Sequence, residues 1–222
     1  MFTFKNVRYG DILDIENLTI RPFQTTWIVG ESGSGKTTLL KMLNNLLTPD
    51  QGELFYKGTD LAALDPVQLR REVVMLPQSP LIFPGTIKEN LLIGCRFSEK
   101  TVPADDQLTT VLAALKLKKG LDRKAADLSG GEKQRLAICR VLLMEPEVFL
   151  LDEPTSALDN GTEEMVMQKV VEYGRQNKKT VVIITHSPKM ARRFGGLLIA
   201  LHEGKISGVE EAKGEDGRHS GD

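Results

Sequence analysis

The sequence predicts an α/β fold with a helical lobe inserted into it, and three observations carry that reading. Gly30-Glu31-Ser32-Gly33-Ser34-Gly35-Lys36-Thr37 sits between an apolar run, Thr26-Trp27-Ile28-Val29, and leucines at helical spacing, Leu39, Leu40, Leu43, Leu46 and Leu47. A second apolar run, Val148-Phe149-Leu150-Leu151, is of the kind buried on both faces of a sheet, and it ends in Asp152-Glu153. Between the two, residues 79–127 offer helical periodicity and no good strand.

In chain order, residues 1–29 read as strands. Phe2-Thr3-Phe4 and Leu18-Thr19-Ile20 alternate apolar with polar, and Tyr9-Gly10-Asp11 punctuates them. The helix after the glycine-rich loop should run to the breaker cluster Thr48-Pro49-Asp50-Gln51-Gly52. Glu53 to Lys57 reads as a strand, with a turn at Gly58. Asp65-Pro66 is a cap with proline at the first helical position, opening a short helix to Arg71. Val73-Val74-Met75-Leu76 is a buried strand that ends at Pro77-Gln78. Ser79-Pro80 and Phe83-Pro84-Gly85 are turns. Thr86 then caps a helix, with Glu89 as its capping-box partner. Leu108, Val111, Leu112 and Leu115 stripe a further helix over 105–117.

From Ser129 the α/β alternation returns. A helix runs to about Met144 and stops before Pro146, and the apolar run to Leu151 follows. Then come a helix over 162–176, a buried strand over 180–185, a short helix from Ser187-Pro188 and a strand over 197–201. Gly204-Lys205-Ile206 suggests a hairpin partner for that strand. Residues 210–222 hold almost nothing apolar and read as a disordered tail.

Composition narrows the classes. In 222 residues, a hydrophobic share of 41% and a charged share of 27% are those of a soluble globular chain. A net charge of −1 implies no general attraction to nucleic acid or anionic lipid. Cys95 and Cys139, the only cysteines, lack metal-type spacing and suggest a reducing compartment. No apolar run approaches the ~18 residues of a membrane span. Met1-Phe2-Thr3-Phe4-Lys5 lacks the apolar core of a signal peptide. A cytosolic chain is expected, with any membrane role coming through a partner.

Each candidate site follows from residue chemistry. Gly30, Gly33 and Gly35 let the backbone fold into a cradle of inward-pointing N–H groups, and the helix behind it presents its positive end to the same anion. Lys36 can reach β- and γ-phosphates, and Thr37 offers a hydroxyl to Mg²⁺. Asp152, at the C-terminal edge of a strand, suits a Mg²⁺-directed role. Glu153, one residue on, points elsewhere and could orient or deprotonate an attacking water. Ser129, ahead of Gly130 and Gly131, opens a helix as a second anion site, with no use in a chain holding one nucleotide unless it serves a neighbour. His186 and Gln78 both follow buried strands. His186 could donate to a γ-phosphate oxygen, and Gln78 could contact Mg²⁺ or the water. Tyr9 is either a base-stacking aromatic or a half-buried strand tyrosine.

The set Gly30–Thr37, Gln78, Leu128-Ser129-Gly130-Gly131-Glu132, Leu150–Glu153, Ser156-Ala157-Leu158-Asp159 and His186 resembles the nucleotide-binding subunit of ATP-binding-cassette (ABC) transporters. The match in order and spacing extends from about residue 2 to 207. The resemblance implies a RecA-like P-loop NTPase core, an N-terminal antiparallel β subdomain and an inserted α-helical subdomain. It implies one domain over 1–209, with the core at 1–78 and 139–209 and the helical lobe at about 79–138. It implies ATP and Mg²⁺. Gly30, Glu31, Ser32, Gly33, Ser34, Gly35, Lys36, Thr37 and Thr38 would hold the phosphates, with Tyr9 stacking on adenine. Thr37, Gln78 and Asp152 would serve the metal. Glu153 would be the base, His186 the γ-phosphate switch, and Gln78 a γ-phosphate sensor. Leu128, Ser129, Gly130, Gly131 and Glu132 would close on ATP held by a second copy, and Asp159 would lie in the dimer-communicating loop.

The implied function is the ATP-hydrolysing subunit of a transporter. It would energise a separate integral membrane permease from the cytoplasmic face of the inner membrane, without nucleic acid. Arg21-Pro22-Phe23-Gln24-Thr25 departs from the Gly-Glu turn usual before the phosphate strand. Phe83-Pro84-Gly85-Thr86-Ile87-Lys88-Glu89-Asn90-Leu91 resembles export-type cassettes, and the whole resembles small bacterial cassettes proposed for metal or iron export. Lipid or peptide is the alternative substrate class. An ABC ATPase of DNA repair or translation is the alternative function. Against it stand the 50 residues from Gln78 to Leu128, without the heptads of a coiled coil, and a single cassette.

Overall fold

The computed structural model describes residues 1–214. In chain order the elements are β1 (Phe2–Tyr9), β2 (Leu13–Ile20), β3 (Thr25–Val29), α1 (Lys36–Leu43), β4 (Gln51–Tyr56), β5 (Thr59–Asp60), α2 (Pro66–Glu72) and β6 (Val73–Leu76). The helices α3 (Ile87–Phe97), α4 (Asp105–Ala114) and α5 (Gly130–Leu143) follow. The chain then returns to alternation with β7 (Val148–Asp152), α6 (Asn160–Gln176), β8 (Thr180–Ile184), α7 (Pro188–Phe194), β9 (Gly196–His202) and β10 (Lys205–Ala212).

Two sheets share the work. The larger has the order β10-β9-β3-β8-β7-β6. Its strands are parallel except for the β9–β10 hairpin. The smaller, β2-β1-β4-β5, is antiparallel. Every residue of β3, β7 and β8 is buried. Because successive side chains point to opposite faces, each strand feeds two cores. Trp27, Val29, Phe149, Leu151, Val181 and Ile183 pack among residues of α3 to α7. Ile28, Val148, Leu150, Val182 and Ile184 pack with α1 and the small sheet, whose Phe2, Phe4, Val7, Leu13 and Ile15 alternate inward.

The helical side is anchored by one cation. Arg140 of α5 donates to the carbonyl of Asn90 at 2.7 Å, to its Oδ1 at 2.9 Å and to the carbonyl of Leu81 at 2.9 Å. Its guanidinium also lies over the Phe83 ring, 5.1 Å from the centroid. Asn90, fully buried, bonds both backbone groups of Phe83. Burial lowers the Arg140 pKa to about 10, still well above neutrality. The segment 81–90 is therefore tied to α5 by charge-assisted bonds of the strong class. Cys95 and Cys139 are both buried, and burial pushes both thiols up.

Three expectations change. The helix after the phosphate loop ends at Leu43, not at Thr48, because Asn45 takes a left-handed conformation (φ 55°). The Asn45 N–H bonds the Met42 carbonyl and the Leu46 N–H bonds the Lys41 carbonyl, the paired bonds of a Schellman end. The tail does not start at 210: β10 continues to Ala212, with Glu210 opposite Leu198 and Glu211 opposite Leu197. Glu211 also meets Arg21 at 2.9 Å, so polarity there marks an edge strand rather than absent structure. Residues 215–222 of the expected tail lie outside the described residues. Finally, α5 runs unbroken through the 138/139 division expected between lobe and core.

Trp27, the only tryptophan, is fully buried, donates to the Gly195 carbonyl at 3.0 Å and stacks on Phe194 at 6.3 Å. Phe194→Ala should cost about 3–5 kcal/mol through the cavity it leaves. Urea unfolding followed by Trp27 fluorescence measures this, and an unchanged midpoint would refute it.

Candidate nucleotide site

The parallel strands deliver their C-terminal ends to one edge of the sheet. The phosphate loop leaves β3 there, Gln78 follows β6, Glu153 follows β7 and His186 follows β8. That edge is where open α/β sheets bind ligands.

The loop is shaped by glycine where nothing else fits. A Cβ at Gly30 would lie 2.2 Å from the Leu201 carbonyl oxygen, and one at Gly35 (φ 96°) would lie 2.7 Å from Leu13 Cδ2. Gly35 starts α1 with no side-chain cap and no acidic residue in the first turn. By contrast, Asp65, Thr86, Ser129 and Asp159 cap α2, α3, α5 and α6. The start of α1 therefore keeps its backbone donors for a ligand. Lys36, only 6% exposed, folds its ammonium back onto the carbonyls of Gly30 at 2.9 Å and Glu31 at 2.7 Å. The Ser34 hydroxyl is buried in the same loop without a partner.

Opposite the loop stand the strand-end residues. Thr37 Oγ1 donates to Asp152 Oδ2 at 2.9 Å. Burial pushes the Asp152 carboxyl up, against the Thr37 bond, and the charge of Glu153 adds to the rise. Glu153 turns out of β7 with φ 45°, a left-handed backbone that its type avoids. The turn separates the two carboxylates. Glu153 Oε2 accepts from Gln78 Nε2 at 2.8 Å, and its Oε1 meets His186 Nε2 at 2.7 Å. Ser32, Gly33, Gly35, Lys36, Thr37 and Thr38 line a cleft of about 420 Å³ whose other wall is Gln78, Glu153 and His186.

Other expected residues lie elsewhere. Ser129 Oγ accepts from the Glu132 N–H at 3.3 Å, and the Ser129 N–H donates to Glu132 Oε2 at 2.9 Å, a closed capping box. That backbone bond, with Lys119 at 3.0 Å, lowers the Glu132 pKa. Leu128, Ser129, Gly130, Gly131 and Glu132 do not line the cleft. Gly131 instead abuts the loop after β7, since a Cβ there would be 3.0 Å from Leu158 Cδ2 and 3.1 Å from the Ala157 carbonyl. Asp159 caps α6 through the Thr162 N–H, which lowers its pKa. Tyr9 does not line the cleft either. It is half-buried, packed beside the core of the small sheet. The rim is formed instead by Ile12, which is 45% exposed and was not singled out in the sequence. An apolar residue two positions after a Tyr-Gly turn is the available signal.

Gln134 was also missed. It is buried on α5 and its amide bonds the loop that carries Glu153. Only a polar residue two positions ahead of the buried helical stretch Leu136 to Cys139 could have drawn notice.

The sequence pattern of the ABC transporter family matches residues 13–156. The transport/processing ATP-binding protein ComA of Streptococcus pneumoniae is 38% identical over 96% of this chain, which spans only 30% of ComA. The tungstate uptake system ATP-binding protein TupC of Peptoclostridium acidaminophilum is 32% identical over 88% of this chain and 89% of its own. The dimeric, ADP- and phosphate-bound structure of the ATP-binding cassette MJ0796 superposes with a TM-score of 0.85 at 31% identity, covering 96% of this chain and all of that one. A bacterial Atm1-family ABC exporter with ATP bound gives 0.83 at 27% identity, over 94% of this chain and 38% of that one. The likeness spans relatives named for uptake and for export, so it does not single out the metal-export subgroup.

Because burial disfavours the Asp152 anion, its charged form weakens the fold. Its folded pKa lies above the unfolded one, so its contribution is most favourable at low pH and is lost as pH rises through the folded pKa. Asp152→Asn should raise the thermal midpoint at pH 7, with the gain shrinking toward acid pH. A lowered midpoint at pH 7 would refute the sign.

RecA-like architecture, an inserted helical subdomain, the matched family pattern and the MJ0796 superposition lead to one conclusion: the chain belongs to the ABC transporter family and carries its ATP-binding cassette.

Proposed function

We propose that two copies of this chain hydrolyse ATP and thereby energise a separate integral membrane permease. The observation that carries the reading is Glu153, whose carboxylate is held between Gln78 and His186 across the cleft from Lys36 and Thr37, with Asp152 bonded to Thr37.

The donor set fits the ligands. Uncapped N–H groups at the start of α1, the Lys36 ammonium and the unpartnered Ser34 hydroxyl suit a polyphosphate. Thr37 and Asp152 offer hard oxygens for Mg²⁺, with Gln78 the third member of the proposed set. Among the described residues, no group of three or more His, Cys, Asp or Glu could hold a metal by itself. The ion would therefore share oxygens of the nucleotide, and when bound it neutralises charge on the phosphate oxygens.

The chain's own residues do the rest. Lys36 leaves its loop carbonyls for the β- and γ-phosphates. Gln78 and His186 orient the carboxylate, and Glu153 takes the proton from a water attacking the γ-phosphorus in line with the departing ADP oxygen. Ser129, Gly130 and Gly131, outside this chain's own cleft, are assigned to closing the site on the other copy, with Asp159 beside the contact. The adenine would lie beyond Ile12 on the rim, toward the β1–β2 turn that also follows Tyr9.

Export is proposed on the segment Phe83–Leu91. Exposed Leu81 and Phe97, near the arm that follows Gln78, offer an apolar surface to the permease. Among the described residues no helix is long and apolar enough to cross a membrane. The chain is placed on the cytoplasmic face of the membrane through that partner.

Glu153→Gln should lower phosphate release by roughly 10²–10⁴-fold while ATP still binds and a dimer accumulates on gel filtration in ATP. Turnover at the wild-type rate would remove Glu153 as the base. Ser129→Arg should leave nucleotide binding to the dilute chain unchanged yet abolish hydrolysis, whereas Lys36→Ala should weaken binding itself. Equal loss of binding in both variants would contradict a site completed by a second copy.

A further inference from the structure

We propose that Gln134 is a positioning residue that ties Glu153 to the segment Ser129–Gly131, so that each chain's base responds to the nucleotide held by the other chain. The inference rests on the two-copy reading above.

Gln134 lies early in α5, and only 2% of it is exposed. Both ends of its amide are used. Oε1 accepts from the Ala157 N–H at 2.9 Å, and Nε2 is shared between the Glu153 carbonyl at 3.3 Å and Ser156 Oγ at 3.4 Å. All three partners belong to the loop between β7 and α6. That loop opens on the left-handed backbone of Glu153, a conformation that persists only when its surroundings hold it. It is also held by the Glu153 N–H on the Ile184 carbonyl at 3.2 Å, the Ser156 N–H on the Glu153 carbonyl at 3.2 Å, the Leu158 N–H on the Thr155 carbonyl at 3.0 Å and Thr155 Oγ1 on Glu163 at 3.0 Å. Of the side chains that reach the Glu153 main chain, Gln134 is the one carried by the helix that starts at Ser129.

The same helix grips Glu153 from its other side. Arg140 binds the Leu81 and Asn90 carbonyls, and so holds the arm that leads from Gln78, whose amide donates to the Glu153 carboxylate. Gly131 packs directly on Ala157 and Leu158. A shift of the α5 N-terminus on engaging a phosphate would therefore move the Glu153 carbonyl through Gln134 and its carboxylate through the arm. Protein cores change between discrete packings rather than deforming smoothly, so such a shift is passed on and not absorbed.

A Gln134 that merely stapled the loop would affect stability and leave cooperativity between the two sites alone. ATP hydrolysis by the full chain, measured against ATP concentration at high protein concentration, separates the two. Gln134→Glu keeps the shape and the acceptor for Ala157 and loses the donor to Glu153. It should lower kcat about 10- to 100-fold, as small misplacements of a catalytic group do. The Hill coefficient should fall from about 2 toward about 1, since two coupled sites become independent. Affinity of the dilute chain for a fluorescent ATP analogue should stay at the wild-type value, while the thermal midpoint falls because a carboxylate replaces a buried amide. Gln134→Met, which removes acceptor and donor together, should show the same loss of cooperativity whatever its midpoint. A cooperative wild type with an equally cooperative Gln134→Glu variant overturns this inference alone. A wild type without hydrolysis at high concentration overturns the reading beneath it as well.

Discussion

The site depends on the register of four parallel strands. Leu76 pairs with Leu151, Asp152 with Ile184 and Ile28 with Ile184, so β6, β7, β8 and β3 all end within a residue or two of one another. That alignment puts Gln78, Glu153, His186 and the phosphate loop on one rim. It is enforced from both faces, because each strand feeds two cores and a slip of one residue would exchange them. Trp27 and Ile28 could not trade places without putting an indole among Phe2, Leu40 and Ile184. The hydrophobic cores are thus the reason a lysine, a threonine and two carboxylates from distant parts of the chain meet.

Within that frame, the two glycine-rich helix starts differ in a way that matters chemically. The start of α1 has no cap, an unpartnered serine hydroxyl and a lysine resting on main-chain carbonyls. The start of α5 is closed by a reciprocal Ser129–Glu132 box and an ion pair with Lys119. The first gives up local stability to keep donors free. The second is already a settled helix end that can meet a ligand as a rigid body. Burying Asp152 and twisting Glu153 are costs of the same kind, concentrated at one rim and offset by the apolar layers beneath it.

Much of this was legible in the sequence because the signals are local. A Gly-rich loop between an apolar run and a leucine helix, and an apolar run ending in Asp152-Glu153, each carry their own context. What was not legible depends on pairings across long separations. Ile12 reaches the cleft rim only because the β1–β2 turn packs on Gly35 and Gly204. Gln134 acquires its role from a loop about 20 residues downstream. Residues 210–212 looked like tail because edge strands are polar, and the early end of α1 depends on a single left-handed asparagine among helical-period leucines. Arg140 was similarly silent, since its partners Leu81 and Asn90 are main-chain and amide groups with no sequence signature.

The two cysteines have a practical consequence. Cys95 and Cys139 are buried, and both thiols are held toward the protonated form, whereas alkylation and exchange need an accessible thiolate. The folded chain is therefore chemically quiet toward maleimides without any residue being removed. A single thiol introduced on the exposed end of α5 would be the one that reacts, so fluorophores or cross-linkers could follow the approach of two copies against almost no background.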